Sequence, residues 1–124
     1  MVDLPDGLPE VGEAWFYKAW MFRLCNQKKL IGIDLDCEVR GSLQPIFDLI
    51  GDRIVLAPDC PMGEYAKVFV PGIFFNSGVV GVSRDNPLLA TWEEETLRKH
   101  PHFRSDQEIL NFVLYQGGVE VVAL

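Results

Sequence analysis

The chain has no apolar run approaching the ~18 residues that span a bilayer. Its start, Met1-Val2-Asp3-Leu4-Pro5-Asp6, lacks the basic residues and apolar stretch of a secretory signal. The expected compartment is therefore the cytoplasm. Basic residues are scarce: 11 Lys and Arg stand against 18 Asp and Glu, a formal net charge of −7. That balance argues against nucleic acid or an anionic membrane as main partner, because both need clustered cations. It does not exclude a phosphorylated small molecule, which a divalent cation can bridge to carboxylates. Cysteine is scarce too. Cys25, Cys37 and Cys60 are odd in number and without CxxC spacing, so neither a disulfide framework nor a zinc site is expected. They read as reduced, partly buried thiols. The two histidines, His100 and His102, sit in a polar stretch around Pro101, which disfavours a cysteine nucleophile. Repeats and low-complexity segments are absent.

What is present is the composition of an ordinary globular protein, 48% apolar and 23% charged over 124 residues. That length supports one core. After an irregular lead-in, Glu10 to Gln27 reads as a helix, with Val11, Trp15, Ala19 and Phe22 on a stripe that Phe16 and Trp20 widen. Lys29 to Ile33 is a short apolar run, the pattern of a buried strand in a parallel sheet. Ser42 to Ile50 reads as a short helix with Pro45 in its first turn. Arg53 to Ala57 is a second strand, Pro58 to Gly63 a loop, and Tyr65 to Val70 a weaker third strand. Ile73-Phe74-Phe75 and Val79 to Val82 read as a strand pair interrupted by Asn76-Ser77-Gly78. Asn86 caps a helix opened by Pro87 and running to about Lys99. Ser105 and Glu108 form a capping box for a helix that reaches Gln116 and ends at Gly117-Gly118. Val119 to Leu124 completes the series as a last strand. Alternation of helices and strands places the chain in the α/β class.

Three groups carry chemistry. Asp34-Leu35-Asp36 puts two carboxylates at the end of an apolar strand, where open α/β sheets hold ligands. Oxygen donors of this kind suit Mg²⁺ or Mn²⁺, which neutralise a diphosphate. The apolar Leu35 between the acids is expected to restrict them to one place. Asn76-Ser77-Gly78 offers an amide, a hydroxyl and an unobstructed backbone; a β-bulge or tight turn explains the same residues without a ligand. Asp106-Gln107 opens a helix, where an acid stabilises the helix dipole by ~0.3–1 kcal/mol whether or not a sugar is bound. For a general base, Asp59, Glu64 and Asp106 are all placed where they could serve.

Taken in order, "LIGIDLDCEVRGSLQPIF", "FFNSGVVGVSR" and "SDQEILNFVL" resemble nucleotide-sugar glycosyltransferases of the GT-A fold, in the glycogenin-like and galactosyltransferase-like group. The upstream "WFYKAWMFRL" is similar to the helix that precedes the aspartate pair in that family. The resemblance runs over roughly residues 10 to 116. It implies a partial GT-A sheet flanked by helices, and transfer of a sugar from a nucleotide-sugar donor to an acceptor with help from Mn²⁺ or Mg²⁺. Asp34 and Asp36 would hold the metal and contact the diphosphate or ribose, with Asp36 favoured as the direct ligand. Asn76, Ser77 and Gly78 would line the sugar cleft, and Asp106 and Gln107 would bind the transferred sugar near its reacting carbon.

The family's base-binding strands precede its counterpart of the Trp15 helix, and its downstream histidine metal motif has no match here. Residues 1–124 are therefore expected to form a single truncated domain. A sheet without those strands exposes an apolar edge, which invites pairing into a homodimer or higher oligomer. Two alternatives stand beside the transferase. One is a non-catalytic remnant or assembly protein with the same fold. The other is a phosphatase of the haloacid-dehalogenase kind, which also sets an aspartate pair after an apolar strand but wants Gly and Thr or Val where Cys37-Glu38 stand.

Overall fold

A computed structural model describes residues 6, 14–59 and 73–124. An N-terminal 3₁₀ helix, Ala14–Leu24, leads into strand β1 (Lys29–Ile33), helix α1 (Gln44–Leu49) and strand β2 (Ile54–Pro58). Strand β3 (Phe75–Ser83), helix α2 (Pro87–Lys99), a 3₁₀ turn at His100–His102, helix α3 (Asp106–Gln116) and strand β4 (Val121–Ala123) follow. The α/β class expected from the alternation is thus present. The expected strand at Tyr65 to Val70, most of the loop before it, and Cys60 and Glu64 lie outside the described residues.

The strands form one sheet in the order β1-β3-β2-β4. β1 and β2 are both antiparallel to β3, and only β2 and β4 run parallel. The parallel surroundings expected for Lys29 to Ile33 are therefore corrected: its described neighbour is antiparallel β3. Burial along β1 alternates rather than running continuously, with Leu30 buried and Lys29 exposed. The apolar run came from an alternating strand whose outward positions happen to be isoleucine, and composition alone does not separate the two cases. The pair of strands expected around Asn76-Ser77-Gly78 is likewise a single strand, β3, which carries those three residues within it.

Leu30, Ile54, Leu56, Val80 and Val82 turn one face of the sheet toward α2, α3 and the N-terminal helix. There they join Phe16, Trp20, Phe22, Trp92, Ile109 and Leu110 in the core. Gly81 points to the opposite face, where Val55 and Ile50 close over it; at this end of α1, Ile50 is buried.

The N-terminal helix is tighter than its sequence suggests. Its buried residues include Phe16, Ala19 and Phe22, three apart, as a helix of three residues per turn requires. The four-residue stripe through Trp15 fails for the same reason: Trp15 is 43% exposed. Val11 and the start of that stripe lie outside the described residues.

The later helices follow their end signals. Asn86 Oδ1 accepts from the Leu88 amide at 2.9 Å, with Pro87 at the first turn. Ser105 Oγ accepts from Glu108 N at 3.4 Å, and Glu108 Oε2 accepts from Arg104 N at 2.7 Å. The return bond of the capping box thus reaches one residue further back than the usual pattern. α3 ends with Gly118 at φ +57°, the left-handed position a side chain would resist. The amides of Gly118 and Val119 bond back to Tyr115 and Leu114 carbonyls, which completes a Schellman motif and sends the chain into β4.

Candidate sugar-binding corner

The site is assembled where the ladder between β2 and β3 breaks. Leu56 pairs with Val80, but Ala57 pairs with Asn76, so Ser77, Gly78 and Val79 bulge out of register with β2. Their backbone groups find other partners. Asp34 N, at the end of β1, donates to Gly78 O at 2.8 Å. Ser77 N donates to Gln107 Oε1 at 3.1 Å. Asn111 clasps the strand just before the bulge: its Oδ1 accepts from Phe75 N and its Nδ2 donates to Phe75 O, both at 2.8 Å. Side chains of α3 thus take over hydrogen bonds that a regular β partner would have made.

Asn76 Oδ1 accepts from Gly78 N at 2.6 Å. A Cβ on residue 78 would lie 2.7 Å from that oxygen and 3.4 Å from Asp34 Oδ2. Glycine is what allows the bulge, the Asn76 amide and the Asp34 carboxylate to come this close.

Lys18 stands at the centre. Its Nζ lies 2.8 Å from Asp34 Oδ1 and 3.1 Å from Asp106 Oδ2. It also donates to Ser77 Oγ at 3.1 Å, and Ser77 Oγ donates to Asp106 Oδ2 at 2.8 Å. The ammonium and the Asp106 carboxylate are nearly enclosed, with side chains 11% and 5% exposed. Burial raises the Asp106 pKa above the usual carboxylate range; Lys18 and the Ser77 hydroxyl act in the opposite direction. One cation shared by two carboxylates leaves the cluster one charge negative, with Asp34 the more open of the pair at 33% exposed.

Asp34, Asn76, Ser77, Gly78, Asp106 and Gln107 are therefore neighbours in the fold. Asp36 is not part of the cluster. Cys37 N bonds back to Asp34 O at 3.0 Å, which makes residues 34 to 37 a tight turn. The turn carries Asp36 and Leu35 outward, and Leu35 is fully exposed. The expected role of Leu35 in confining the two acids is thus corrected: the turn separates them. Cys25 and Cys37 are exposed rather than partly buried. Among the described residues, no three His, Cys, Asp or Glu side chains are grouped as a metal cage.

Two residues of the corner fall inside the resembling stretches without a role being expected of either. Lys18 is the lone cation between Phe16 and Trp20 in an aromatic helix, and that isolation was the available signal. Asn111 is buried mid-helix, an environment in which an amide must find partners.

The chain is similar to a solved structure of the galactosyltransferase LgtC in complex with donor and acceptor sugar analogs, with a TM-score of 0.63 and 23% identity. The fold is GT-A glycosyltransferase-like. The similarity covers 86% of this chain and 43% of LgtC, so the chain spans less than half the length of that enzyme. No family model matches the sequence, and no curated protein matches it. Among the described residues no helix is long and apolar enough to cross a membrane.

Proposed function

We propose that this chain is a glycosyltransferase-like domain that binds a nucleotide-sugar donor through the corner at the end of β1, with a divalent cation, for transfer of the sugar to an acceptor. The observation that carries the reading is the convergence of Asp34, Ser77 and Asp106, from three separate segments, on Lys18 of a fourth, with Gln107 bonded to Ser77, in a fold shared with a galactosyltransferase. The open donor at the turn, Asp36, offers hard carboxylate oxygens, which suit Mn²⁺ or Mg²⁺ rather than a soft metal, while Asp34 is already paired with Lys18. When bound, the cation supplies charge neutralisation for a departing nucleoside diphosphate.

The chain's own residues then have separable tasks. Asp36, exposed on the turn, is placed to meet a cation arriving with the diphosphate. Asp34, the more open acid, accepts a hydrogen bond from a sugar hydroxyl, and Lys18 and the enclosed Asp106 hold it in position. Gln107 and the Asn76-Ser77-Gly78 bulge line the sugar cleft. Catalysis on this plan is chiefly positioning and electrostatic stabilisation. The domain works in the cytoplasm as a homo-oligomer whose pairing covers the edge of the sheet. The test is UDP release from UDP-galactose and related UDP-sugars in the presence and absence of Mn²⁺. Metal-dependent release that Asp106→Asn removes supports the reading; release unaffected by that substitution contradicts it.

A second reading, binding without catalysis, is favoured by one observation: the Asp106 carboxylate is nearly enclosed by Lys18 and Ser77. It is separated from the first by a protein that binds UDP-sugar tightly and releases no UDP. The phosphatase alternative gains no support from this fold, and turnover of a generic phosphate ester with Mg²⁺ would restore it.

A further inference from the structure

The Gln107 side chain is an amide, and an amide can be placed in either of two orientations that differ only by exchange of its oxygen and nitrogen. Here the surroundings decide. Gln107 Oε1 accepts from the Ser77 backbone amide at 3.1 Å, and Gln107 Nε2 donates to Asp59 Oδ2 at 2.7 Å. The exchanged orientation would set an NH₂ group against the Ser77 N–H and an oxygen against a carboxylate. Both contacts would be repulsive, so a single orientation survives.

Asp59 is itself held. Pro58 pairs with Phe75 but has no N–H to give, and the ladder resumes one residue on, with Asp59 N donating to Phe74 O at 2.7 Å. The carboxylate is thus carried on an extension of β2 and reaches across to the first turn of α3. Its bond to Gln107 is charge-assisted, the stronger of the two bonds that the amide makes. Asp59, Asp106 and Glu64 were equal candidates for a general base by sequence. Asp59 is engaged as an acceptor for Gln107, Asp106 is enclosed by Ser77 and Lys18, and Glu64 lies outside the described residues.

We propose that Asp59 is a positioning residue of the sugar-binding corner: it fixes the Gln107 amide so that its oxygen faces the β3 bulge and its nitrogen faces away from it. After these two bonds, the oxygen keeps one lone pair and the nitrogen one hydrogen for a ligand. A donor sugar therefore meets a defined acceptor and a defined donor at residue 107 rather than an interchangeable pair. The consequence for sugar binding rests on the glycosyltransferase reading; the control of the amide does not.

The experiment uses Asp59→Ala, which removes the acceptor, and Asp59→Asn, whose side-chain oxygen can still accept. The Gln107 NεH₂ group is followed by ¹⁵N–¹H NMR, and UDP-galactose affinity is measured by calorimetry in Mn²⁺. In the wild type and in Asp59→Asn, the two Gln107 amide protons are expected to be well separated in shift and one of them slow to exchange. In Asp59→Ala that separation and protection are lost, and donor affinity falls by about tenfold, as loss of one charge-assisted bond would give. Asp59→Asn stays within about threefold of wild type on the same scale. An unchanged Gln107 signal in Asp59→Ala would overturn the proposal, and so would equal donor affinity in wild type and Asp59→Ala. A wild type that binds no UDP-galactose would defeat the transferase reading instead, and the NMR comparison would still decide whether Asp59 sets the amide.

Discussion

Asp34 and Asp36 are two residues apart in sequence and belong to different regions of the molecule. Asp34 ends a strand, shares Lys18 with Asp106 and is tied by its backbone to Gly78. Asp36 rides outward on a turn, and its described contact is the Cys37 thiol at 4.0 Å. One acid is integrated into the fold, and the other is left to the solvent side. The contrast teaches that an aspartate pair of this spacing need not act as one chelating unit. The inner acid organises the cleft, and its carboxylate is already balanced by a protein cation. Among the described residues the outer acid has no such balance, which is why the metal role is proposed for it.

Breaking the inner region should have the largest effect. Lys18→Met leaves Asp34 and Asp106 facing each other without their cation, and removal of one partner from a largely buried ionic cluster costs about 3 kcal/mol. Urea unfolding is the check. Asp36→Ala, by contrast, should alter stability by less than about 0.5 kcal/mol, as for an exposed side chain with no ion pair among the described residues. Equal losses in the two variants would erase the distinction between the regions.

Asn111→Leu is next. It keeps the volume and leaves Phe75 N and O unpaired, at a cost of about 2 kcal/mol by the same assay. A loss no larger than that of an exposed control would mean that α3 does not hold the bulge.

The smallest effect is a pH dependence. Burial raises the Asp106 pKa in the folded protein above its unfolded value. The folded state therefore binds the proton more tightly. The associated stability is fully present below the unfolded pKa and is lost as pH rises through the folded pKa. Asp106→Asn lacks this component, so over that acid window its stability should rise with pH relative to wild type. Thermal melts at a series of acid pH values would show it, and parallel curves would refute the raised pKa.

Much of this arrangement was written locally. Asn86, Ser105 and the Gly117-Gly118 pair mark helix ends because caps depend on residues a few positions apart. Asp34, Ser77, Asp106 and Gln107 could be grouped because their order resembled a known family. The remainder depended on distant partners. Lys18 meets Ser77 across 59 positions, and its isolation among aromatics marks it without naming that partner. The antiparallel setting of β1 is decided by β3, not by its own five residues. The bulge that exposes Ser77 to α3 exists only relative to β2. An apolar Leu35 suggests a confining role, yet the turn that exposes it is closed by a backbone bond between Cys37 and Asp34.

The division of labour between the two aspartates is tested most directly by thermal shift with Mn²⁺ plus UDP-galactose on wild type and Asp36→Ala. At a donor concentration 100 times its Kd, bound ligand should add about 2.7 kcal/mol to wild-type stability. The expected result is a metal-dependent shift in wild type and none in Asp36→Ala, whose melting temperature without ligand matches wild type. Equal shifts in the two proteins, or no shift in wild type with any UDP-sugar, would contradict it.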